Sequence, residues 1–502
     1  MRELRITNSK LLILTALYIA ALVTGCSTQD DATTDESRSN QDLVSRVENG
    51  LLPAVAVQGE LGQKANIVDR MAHYGVPGLL VAVIHEGEVA WERAYGVTEA
   101  GGDKPVTSET MFQAASISKP VTAAATLALV QNGSLALDED INQWLRSWKM
   151  PESEFTDGRS ITLRGLLSHT AGFSGNDGVG GYEPGAAIPT ITQALNGEPP
   201  ATTPPVRVQN RGGTQGYGGS GYAVLQQLLM DVSEEPFPEL MRKTVFLPLG
   251  MNRSTFTQYP APADIAKGHH AGGEPVSGGY QVYSGLATAG LWTTASDLAT
   301  FAVSIQDASE GESQLFLTQE MAQQMVRPHL SECYRCWGLG FEIVGEGSER
   351  WFTHDGINPG FDSKLIANVS TGDGAVVMTN GSLSYGLIYE ILDSIATEYG
   401  WPDYPVKGQT ESVPIPQDAL DSIPGVYELE PDFPVTVVAD GERLFLQIPT
   451  QGLTEIYAST PTSFFITAVD WGPMTFVKDD SGEVTAMMIG PSGQQSTHSR
   501  LE

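Results

Sequence analysis

The sequence predicts an α+β protein built from two folded units, and three observations lead to this fold class. Apolar and polar residues alternate over 75–97, as in a β-hairpin, and an Ala- and Leu-rich helical pattern follows over 116–131. After a cluster of prolines the pattern is entirely β, which predicts a small antiparallel β-barrel or sandwich over about 420–502. A chain of 502 residues exceeds one typical domain, so two units with tails are expected.

Residues 1–25 have the pattern of a signal peptide of the lipoprotein type. A positively charged start precedes an apolar run over 11–24 that is too short to span a bilayer comfortably. Small residues then precede Cys26, as in the bacterial lipobox, where the cysteine is lipidated; a plain secretory signal with an incidental cysteine is the alternative. The polar, acidic sequence that follows predicts a flexible tether over 26–59. We therefore expect an exported protein of the bacterial cell envelope, anchored in the periplasm and in contact with the membrane only through its lipid.

The charge balance excludes one large class of partner. Asp and Glu number 60 against 28 Lys and Arg, which gives a net charge of −32. A strongly acidic surface repels phosphate backbones, so nucleic acid is not an expected partner. Adaptation to a salty medium and simple solubility both explain the acidic excess.

The first unit is expected over 60–400 and mixes helices with strands. The segment 171–216 is rich in Gly, Pro, Thr and Asn and lacks a sustained period, which predicts a rim or lid over a cleft. Further helical patterns cover 221–233, 236–247 and 385–398, and strand-like patterns cover 340–345, 362–368 and 374–379.

A linker and a second unit are expected after residue 400. Four prolines between 402 and 416 predict a Pro-rich linker over 401–419. Beyond it, apolar strand patterns flank Asp440-Gly441, a strong hairpin-turn signal, and further strands follow.

The remaining two cysteines, Cys333 and Cys336, are separated by two residues. In an exported protein this spacing favours a local disulfide. A redox motif would need a surrounding βαβ pattern, and a zinc site would need a second pair of ligands at finger spacing.

Ser116 and Lys119 form a possible nucleophile pair. An alcohol is a poor nucleophile at neutral pH and needs a neighbouring group to take its proton. Three residues apart at a helix start, the two side chains share one face. Pro120 suits only the first helical turn, which places Ser116 at the helix N-terminus, where backbone N–H groups favour an oxyanion. For the isolated motif, a capping serine with a solvated lysine would be the better explanation.

Longer segments around this motif resemble a known family. Four stretches, 111–120, 161–172, 248–251 and 289–298, are similar in order to the class C β-lactamase and penicillin-binding-protein-like superfamily, including its esterases and D-amino-acid-type peptidases. The resemblance covers about 75–400. It implies the β-lactamase/transpeptidase-like fold, with an antiparallel sheet flanked by helices, a helical subdomain and the site between them. The C-terminal unit resembles the lipocalin-like domain appended to some relatives.

The resemblance implies a further catalytic residue, Tyr217. It corresponds to the tyrosine of the family motif Tyr-x-Asn, and its phenol could pass protons to and from Lys119; packing beneath the lid is the structural alternative. Gly219 stands where the family has an asparagine that contacts a substrate amide. One hydrogen bond to such a substrate is therefore expected to be missing.

The family's third motif, Lys-Thr-Gly, is represented here by His354-Asp355-Gly356. The resemblance implies that the backbone N–H groups of Ser116 and Ile357 bind the oxyanion, and that His354 forms a polar wall toward the substrate. A histidine that only points into the cleft mouth is the alternative reading of His354.

No metal or cofactor is implied by the remaining histidines. His169 lies in a family segment that is structural, and His269-His270 has no partner at metal-ligand spacing. A Gly-x-Ser-x-Gly nucleophile elbow is absent from the sequence, which argues against the α/β-hydrolase alternative.

Three functions are consistent with the sequence. The first is an esterase or D-amino-acid-type peptidase that forms an acyl-enzyme with a small-molecule or peptide substrate. The second is a β-lactamase, which uses the same chemistry. The third is a non-catalytic sensor, against which the joint presence of Ser116, Lys119 and Tyr217 argues.

Overall fold

The computed structural model describes residues 41–501, except for 58–60, 174, 262, 264, 314, 332–335, 346–349, 407, 431–432, 450–451, 468–470 and 491–494. The signal peptide, Cys26 and Cys333 lie outside the described residues. Cys336 is disulfide-bonded, and its predicted pairing with Cys333 stays a prediction. No helix within the described ranges is long and apolar enough to cross a bilayer.

A seven-stranded antiparallel sheet forms the centre of the first unit. Its strands are β2 (Gly78–His85), β3 (Glu88–Gly96), β8 (Cys336–Trp337), β9 (Glu342–Val344), β10 (Trp351–Asn358), β11 (Phe361–Asn368) and β12 (Gly374–Thr379), in the order β3-β2-β12-β11-β10-β9-β8. The predicted hairpin is β2–β3. Its turn residues Glu86 and Gly87 both have positive φ, as tight hairpin turns require.

Helices cover both faces of this sheet. In the described part of the chain they are 41–48 (α1), Ile67–Tyr74 (α2), Ser118–Gln131 (α3), Leu163–Leu167 (α4), Ile191–Asn196 (α5), Ser220–Ser233 (α6), Phe237–Met241 (α7), Leu247–Leu249 (α8), Leu286–Ala289 (α9), Ala295–Glu310 (α10), Gln319–Met325 (α11), Tyr385–Tyr399 (α12) and Gln417–Ser422 (α13). Helices α3, α6 and α10 contribute to the larger core, and α1, α2 and α12 to the core on the other face. Because both faces are covered, β2 and β11 are buried almost throughout. The continuous apolar sequence of β2 follows from this burial, whereas β11 also buries polar and charged residues, among them Asp362 and Lys364.

Short strands outside the main sheet join distant segments. They are β1 (Val55–Val57), β4 (Phe112–Gln113), β5 (Gly181–Tyr182), β6 (Val282–Tyr283), β7 (Trp292–Thr293) and β13 (Thr410–Ser412). Strand β4 pairs with β7, β5 pairs with β6, and β1 runs parallel to β13.

The prediction of a flexible tether over 26–59 is wrong for residues 41–57. Val44 and Val47 of α1 are buried in the core that α12 lines, and β1 pairs with β13. The segment is polar on average, but its few apolar residues recur at helical spacing, and burying them is enough to dock it.

The predicted linker 401–419 is also not a free spacer. The ring centroid of Trp401 lies 4.9 Å from that of Trp351, and Tyr404 packs on both rings. Strand β13 and the start of α13 then follow within the same stretch.

The second unit is an eight-stranded antiparallel sheet in sequential strand order, which confirms the predicted small antiparallel β-barrel. Its strands are β14 (Gly425–Glu430), β15 (Phe433–Asp440), β16 (Arg443–Ile448), β17 (Gly452–Thr460), β18 (Ser463–Phe465), β19 (Met474–Lys478), β20 (Val484–Ile489) and β21 (Ser496–Ser499). A bridge between Tyr427 and Arg500 brings the first and last strands together, so the barrel is nearly closed. Leu383, from the first unit, is buried in the barrel's apolar core.

Candidate active site

Ser116 lies in a strained turn between β4 and α3. The turn, Ala115–Ile117, is a 3₁₀ helix, and Ala115 has a φ of +48°, a conformation that non-glycine residues rarely adopt. Ser116 is partly exposed while Ala115 and Ile117 are fully buried. The turn therefore presents the Ser116 hydroxyl alone to the cleft, and Pro120 falls in the first turn of α3 as predicted.

Lys119 is buried directly beside this hydroxyl. Its Nζ lies 2.9 Å from Ser116 Oγ and 3.3 Å from the carbonyl oxygen of Thr288, and the residue is only 1% exposed. Burial lowers the pKa of Lys119 to about 7, because a charged amine loses its hydration there. At neutral pH a large fraction of the amine is uncharged and able to accept a proton.

The Tyr217 ring lies beside Lys119. The Lys119 Nζ lies 5.1 Å from the centre of the Tyr217 ring. The ring is 42% exposed, and its centroid lies 4.7 Å from that of His169 and 5.1 Å from that of Trp337. The preceding backbone is fixed because Gly216 N donates to the carbonyl oxygen of His169 at 2.9 Å.

Strand β10 forms the opposite wall. Its pairing with β9 ends at Thr353, and the rest of the strand packs against the turn that carries Ser116. A Cβ on Gly356 would lie 2.3 Å from the carbonyl oxygen of Ala114, so only glycine permits this approach.

The direction of the Ile357 N–H group follows from its neighbour. The N and O atoms of Gly356 both contact the phenol oxygen of Tyr385, and that oxygen also contacts the carbonyl oxygen of Ser363 in β11. Both Gly356 atoms therefore face β11. Successive backbone N–H groups of a strand point to opposite edges. The Ile357 N–H therefore points away from β11, on a strand that also contacts the turn Ala115–Ile117.

The Beta-lactamase family model matches residues 64–387. The chain belongs to the beta-lactamase family.

Curated relatives within this family carry several names. The chain is 25% identical over 376 residues to penicillin-binding protein 4 of Amycolatopsis lactamdurans, covering 72% of this chain and 95% of the relative. It is 35% identical to esterase EstB of Burkholderia gladioli, but over 97 residues that cover only 19% of this chain and 24% of the esterase.

Solved structures show the same fold. A penicillin-binding protein homologue from Pyrococcus abyssi aligns with a TM-score of 0.57 at 20% identity, covering 86% of this chain and 98% of that one. D-alanine carboxypeptidase AmpC from Burkholderia cenocepacia aligns with a TM-score of 0.55 at 19% identity, covering 72% of this chain and 99% of that one. The predicted family and fold class are thus confirmed.

Gly219, which the resemblance placed at the asparagine position of the Tyr-x-Asn motif, has no room for a side chain. A Cβ there would lie 2.6 Å from Thr288 Cγ2, 2.7 Å from Asn176 Oδ1 and 2.8 Å from Val179 Cγ2. The Gly219 N–H donates to Asn176 Oδ1 at 3.1 Å. A carboxamide therefore does lie at this corner of the site, but it comes from Asn176, which no sequence signal identified.

His354 is more enclosed than the sequence suggested. It is 2% exposed, its Nδ1 lies 2.6 Å from the carbonyl oxygen of Asp355, and its ring packs against Trp337 and Tyr217. In this structure His354 supports the aromatic wall rather than forming the wall itself. The Asp355 carboxylate pairs with Lys364 Nζ at 2.5 Å.

Two of the other histidines occupy different settings. His169 is buried against Tyr217, Tyr222 and Trp337 and has a φ of +58°. It is thus in direct contact with the proposed catalytic tyrosine, a proximity that the spacing in sequence did not indicate. His269 accepts from Ala100 N at 3.0 Å and contacts the carbonyl oxygen of Asn380, which is a structural role. Within the described ranges no cluster of three His, Cys, Asp or Glu side chains could hold a metal ion.

Proposed function

We propose that this protein is a serine hydrolase that forms an acyl-enzyme on esters or amides of D-amino-acid or short-peptide type. The observation that carries the proposal is the 2.9 Å contact between Ser116 Oγ and the buried Lys119 Nζ, whose pKa is lowered to about 7. A neutral amine at this distance can take the serine proton as the oxygen attacks.

The proposed reaction proceeds in two halves. Lys119 takes the Ser116 proton, Oγ attacks the substrate carbonyl, and the N–H groups of Ser116 and Ile357 stabilise the oxyanion. When the tetrahedral intermediate collapses, the leaving alcohol or amine receives the proton from Lys119, directly or through Tyr217. Water then attacks the acyl-enzyme by the same route in reverse, which releases the acid and restores the Ser116 hydroxyl.

The surroundings of the site favour uncharged, flat or apolar substrates. Tyr217 and Trp337 offer aromatic surface, and His354 is enclosed and gives a substrate carboxylate less support than an exposed lysine would. The net charge of −32 adds an unfavourable long-range field for anions, although salt screens it. We therefore expect esters and D-amino-acid amides to be better substrates than penicillins.

The experiment that tests the proposal combines active-site labelling with a substrate panel. Wild-type protein should react with a fluorophosphonate probe at Ser116, and Ser116→Ala should neither react nor turn over any substrate while keeping its melting temperature. The values of kcat/KM for p-nitrophenyl butyrate, a D-alanyl amide and benzylpenicillin should fall in that order. Penicillin as the best substrate would instead assign a β-lactamase, and absence of both labelling and turnover would assign a non-catalytic binding protein.

The proposal includes the cell envelope as the place of action. It rests on the signal-peptide pattern of residues 1–25 and on Cys26, both read from the sequence alone.

A further inference from the structure

A buried phenol lies between the two strands that form the wall opposite Ser116. Tyr385 Oη accepts from Gly356 N at 3.1 Å, and it lies 2.8 Å from the carbonyl oxygen of Ser363 and 3.3 Å from that of Gly356. Gly356 and Ser363 are direct partners in the β10–β11 ladder. The phenol therefore contacts both strands at one rung of the sheet.

This rung contacts the residue that precedes the nucleophile turn. The Ser363 hydroxyl donates to the carbonyl oxygen of Ala114 at 3.2 Å, and Gly356 packs against the same carbonyl. Ala114 is two residues before Ser116, and Gly356 is one residue before Ile357. A change in the spacing of this rung would therefore shift β10, and Ile357 with it, relative to the turn that carries Ser116.

The phenol is held in its protonated form. Tyr385 is 3% exposed, and burial, together with the nearby carboxylates of Asp355 and Asp362, raises its pKa well above 10. A protonated phenol both accepts from one backbone N–H and donates to one carbonyl oxygen, which is what this position between two strands requires.

The two residues before Tyr385 hold the start of its helix in place. Ser384 N donates to Asp362 Oδ2 at 2.7 Å, and the Ser384 hydroxyl lies 2.7 Å from that of Thr379. Leu383 has a φ of +58° and is buried in the core of the C-terminal barrel. Tyr385 is thus anchored to the sheet on one side and to the second unit on the other.

We propose that Tyr385 is a positioning residue of the active site, which holds the Ile357 N–H at the distance from Ser116 that oxyanion binding needs. The proposal rests on the proposed hydrolase function for its catalytic consequence, and on the β10–β11 geometry for its structural one. It also gives the C-terminal barrel a role, because the barrel core buries Leu383, two residues before Tyr385.

The test compares Tyr385→Phe with a matched control, Tyr427→Phe. Tyr427 is also fully buried, but it lies in the barrel, and its hydroxyl donates to the carbonyl oxygen of Ile423. The Tyr427→Phe variant loses this hydrogen bond without touching β10 or β11. We expect kcat for p-nitrophenyl butyrate to fall about 10- to 100-fold in Tyr385→Phe, with KM changed less than about threefold, because misplacing a donor weakens mainly the transition state. The Ki of a phenylboronic acid, whose adduct carries a tetrahedral oxyanion, should rise in parallel with the loss in kcat/KM.

A second measurement does not depend on turnover. Hydrogen–deuterium exchange of peptides covering 351–358 should accelerate in Tyr385→Phe and stay unchanged in Tyr427→Phe. Unchanged exchange in this strand would overturn the proposal whether or not the protein is a hydrolase. Accelerated exchange with kcat within threefold of wild type would overturn the catalytic part, while a wild type without activity or labelling would overturn the proposed function instead.

Discussion

Replacing Lys119 by methionine should inactivate the protein and, at neutral pH, stabilise it. Lys119 is 1% exposed, and burial lowers its pKa from 10.5 to about 7. Between these pH values the unfolded chain binds more protons at this position than the native protein does, so the stability of the wild type rises with pH across the window. Below about pH 7 the full cost of burying a charged amine is present, and above about pH 10.5 it disappears.

The size of this effect follows from the same two values. The fall in the pKa of Lys119 from 10.5 to about 7 corresponds to about 5 kcal/mol of lost folding stability when the amine is fully charged. The same linkage relation gives a cost to the free energy of unfolding of about 4 kcal/mol at pH 7 and less than about 1 kcal/mol at pH 10. Methionine fills a similar volume without a charge. The melting temperature of Lys119→Met should therefore exceed that of the wild type by on the order of 5 °C at pH 7.

Differential scanning calorimetry of the two proteins from pH 6 to pH 10 measures the difference. Lys243→Met is the control, because Lys243 is half exposed and pairs with Glu235 at the surface, so its effect should be small at every pH. If Lys119→Met lowers the melting temperature at pH 7, or raises it equally at pH 7 and pH 10, then Lys119 is not held in a desolvated state and this reasoning fails.

Three further predictions address proton transfer, the corner at Gly219 and the membrane anchor. The kcat/KM for a neutral ester should rise about tenfold per pH unit until it levels near pH 7, as Lys119 loses its proton; a flat profile from pH 5 to pH 8 would exclude Lys119 as the proton acceptor. Gly219→Ala should destabilise the protein by about 1–3 kcal/mol, because the new Cβ has no space. The control Gly221→Ala should not, because its Cβ would meet Leu166 at an ordinary 3.5 Å, and equal melting temperatures of the two variants would show that the Asn176 loop moves aside. Cys26→Ser should move the protein from the membrane to the soluble fraction with unchanged specific activity; a wild type that is already soluble would contradict the lipoprotein prediction.

The parts of the fold that the sequence predicted are those with local signals. The β2–β3 hairpin has alternating residues around a two-residue turn, and the barrel has Asp440-Gly441 between two apolar strands. The Ser116 and Lys119 pair has helical spacing ahead of Pro120, and the resemblance of segment 111–120 to the β-lactamase-related family was needed to favour a nucleophile over a capping serine. Each of these features depends on neighbours within a few residues, which is where sequence patterns are informative.

The features that the sequence did not predict depend on distant contacts. Asn176 reaches the site only because Gly175 forms a bridge with Gly218, 43 residues further along the chain. Tyr385 has an ordinary position at the start of a helix, and its contact with Gly356 appears only when the sheet is assembled. His354 matched a motif position, but its enclosure by Trp337 depends on β8, which is only two residues long.

The docking of α1 against α12 has a consequence for how the chain acquires its structure. The Ser394 hydroxyl donates to the carbonyl oxygen of Val47 across 347 residues of sequence, and β1 pairs with β13 across a similar sequence separation. During synthesis or export α1 therefore emerges long before the surface that buries it, and its apolar residues stay exposed until α12 (Tyr385–Tyr399) has been made. Translation stalled or cleaved near residue 380 would leave a fragment that contains the proposed catalytic residues Ser116, Lys119 and Tyr217 but lacks α12, which closes the second core. Such a fragment should be a substrate for chaperones and proteases rather than a partly active enzyme.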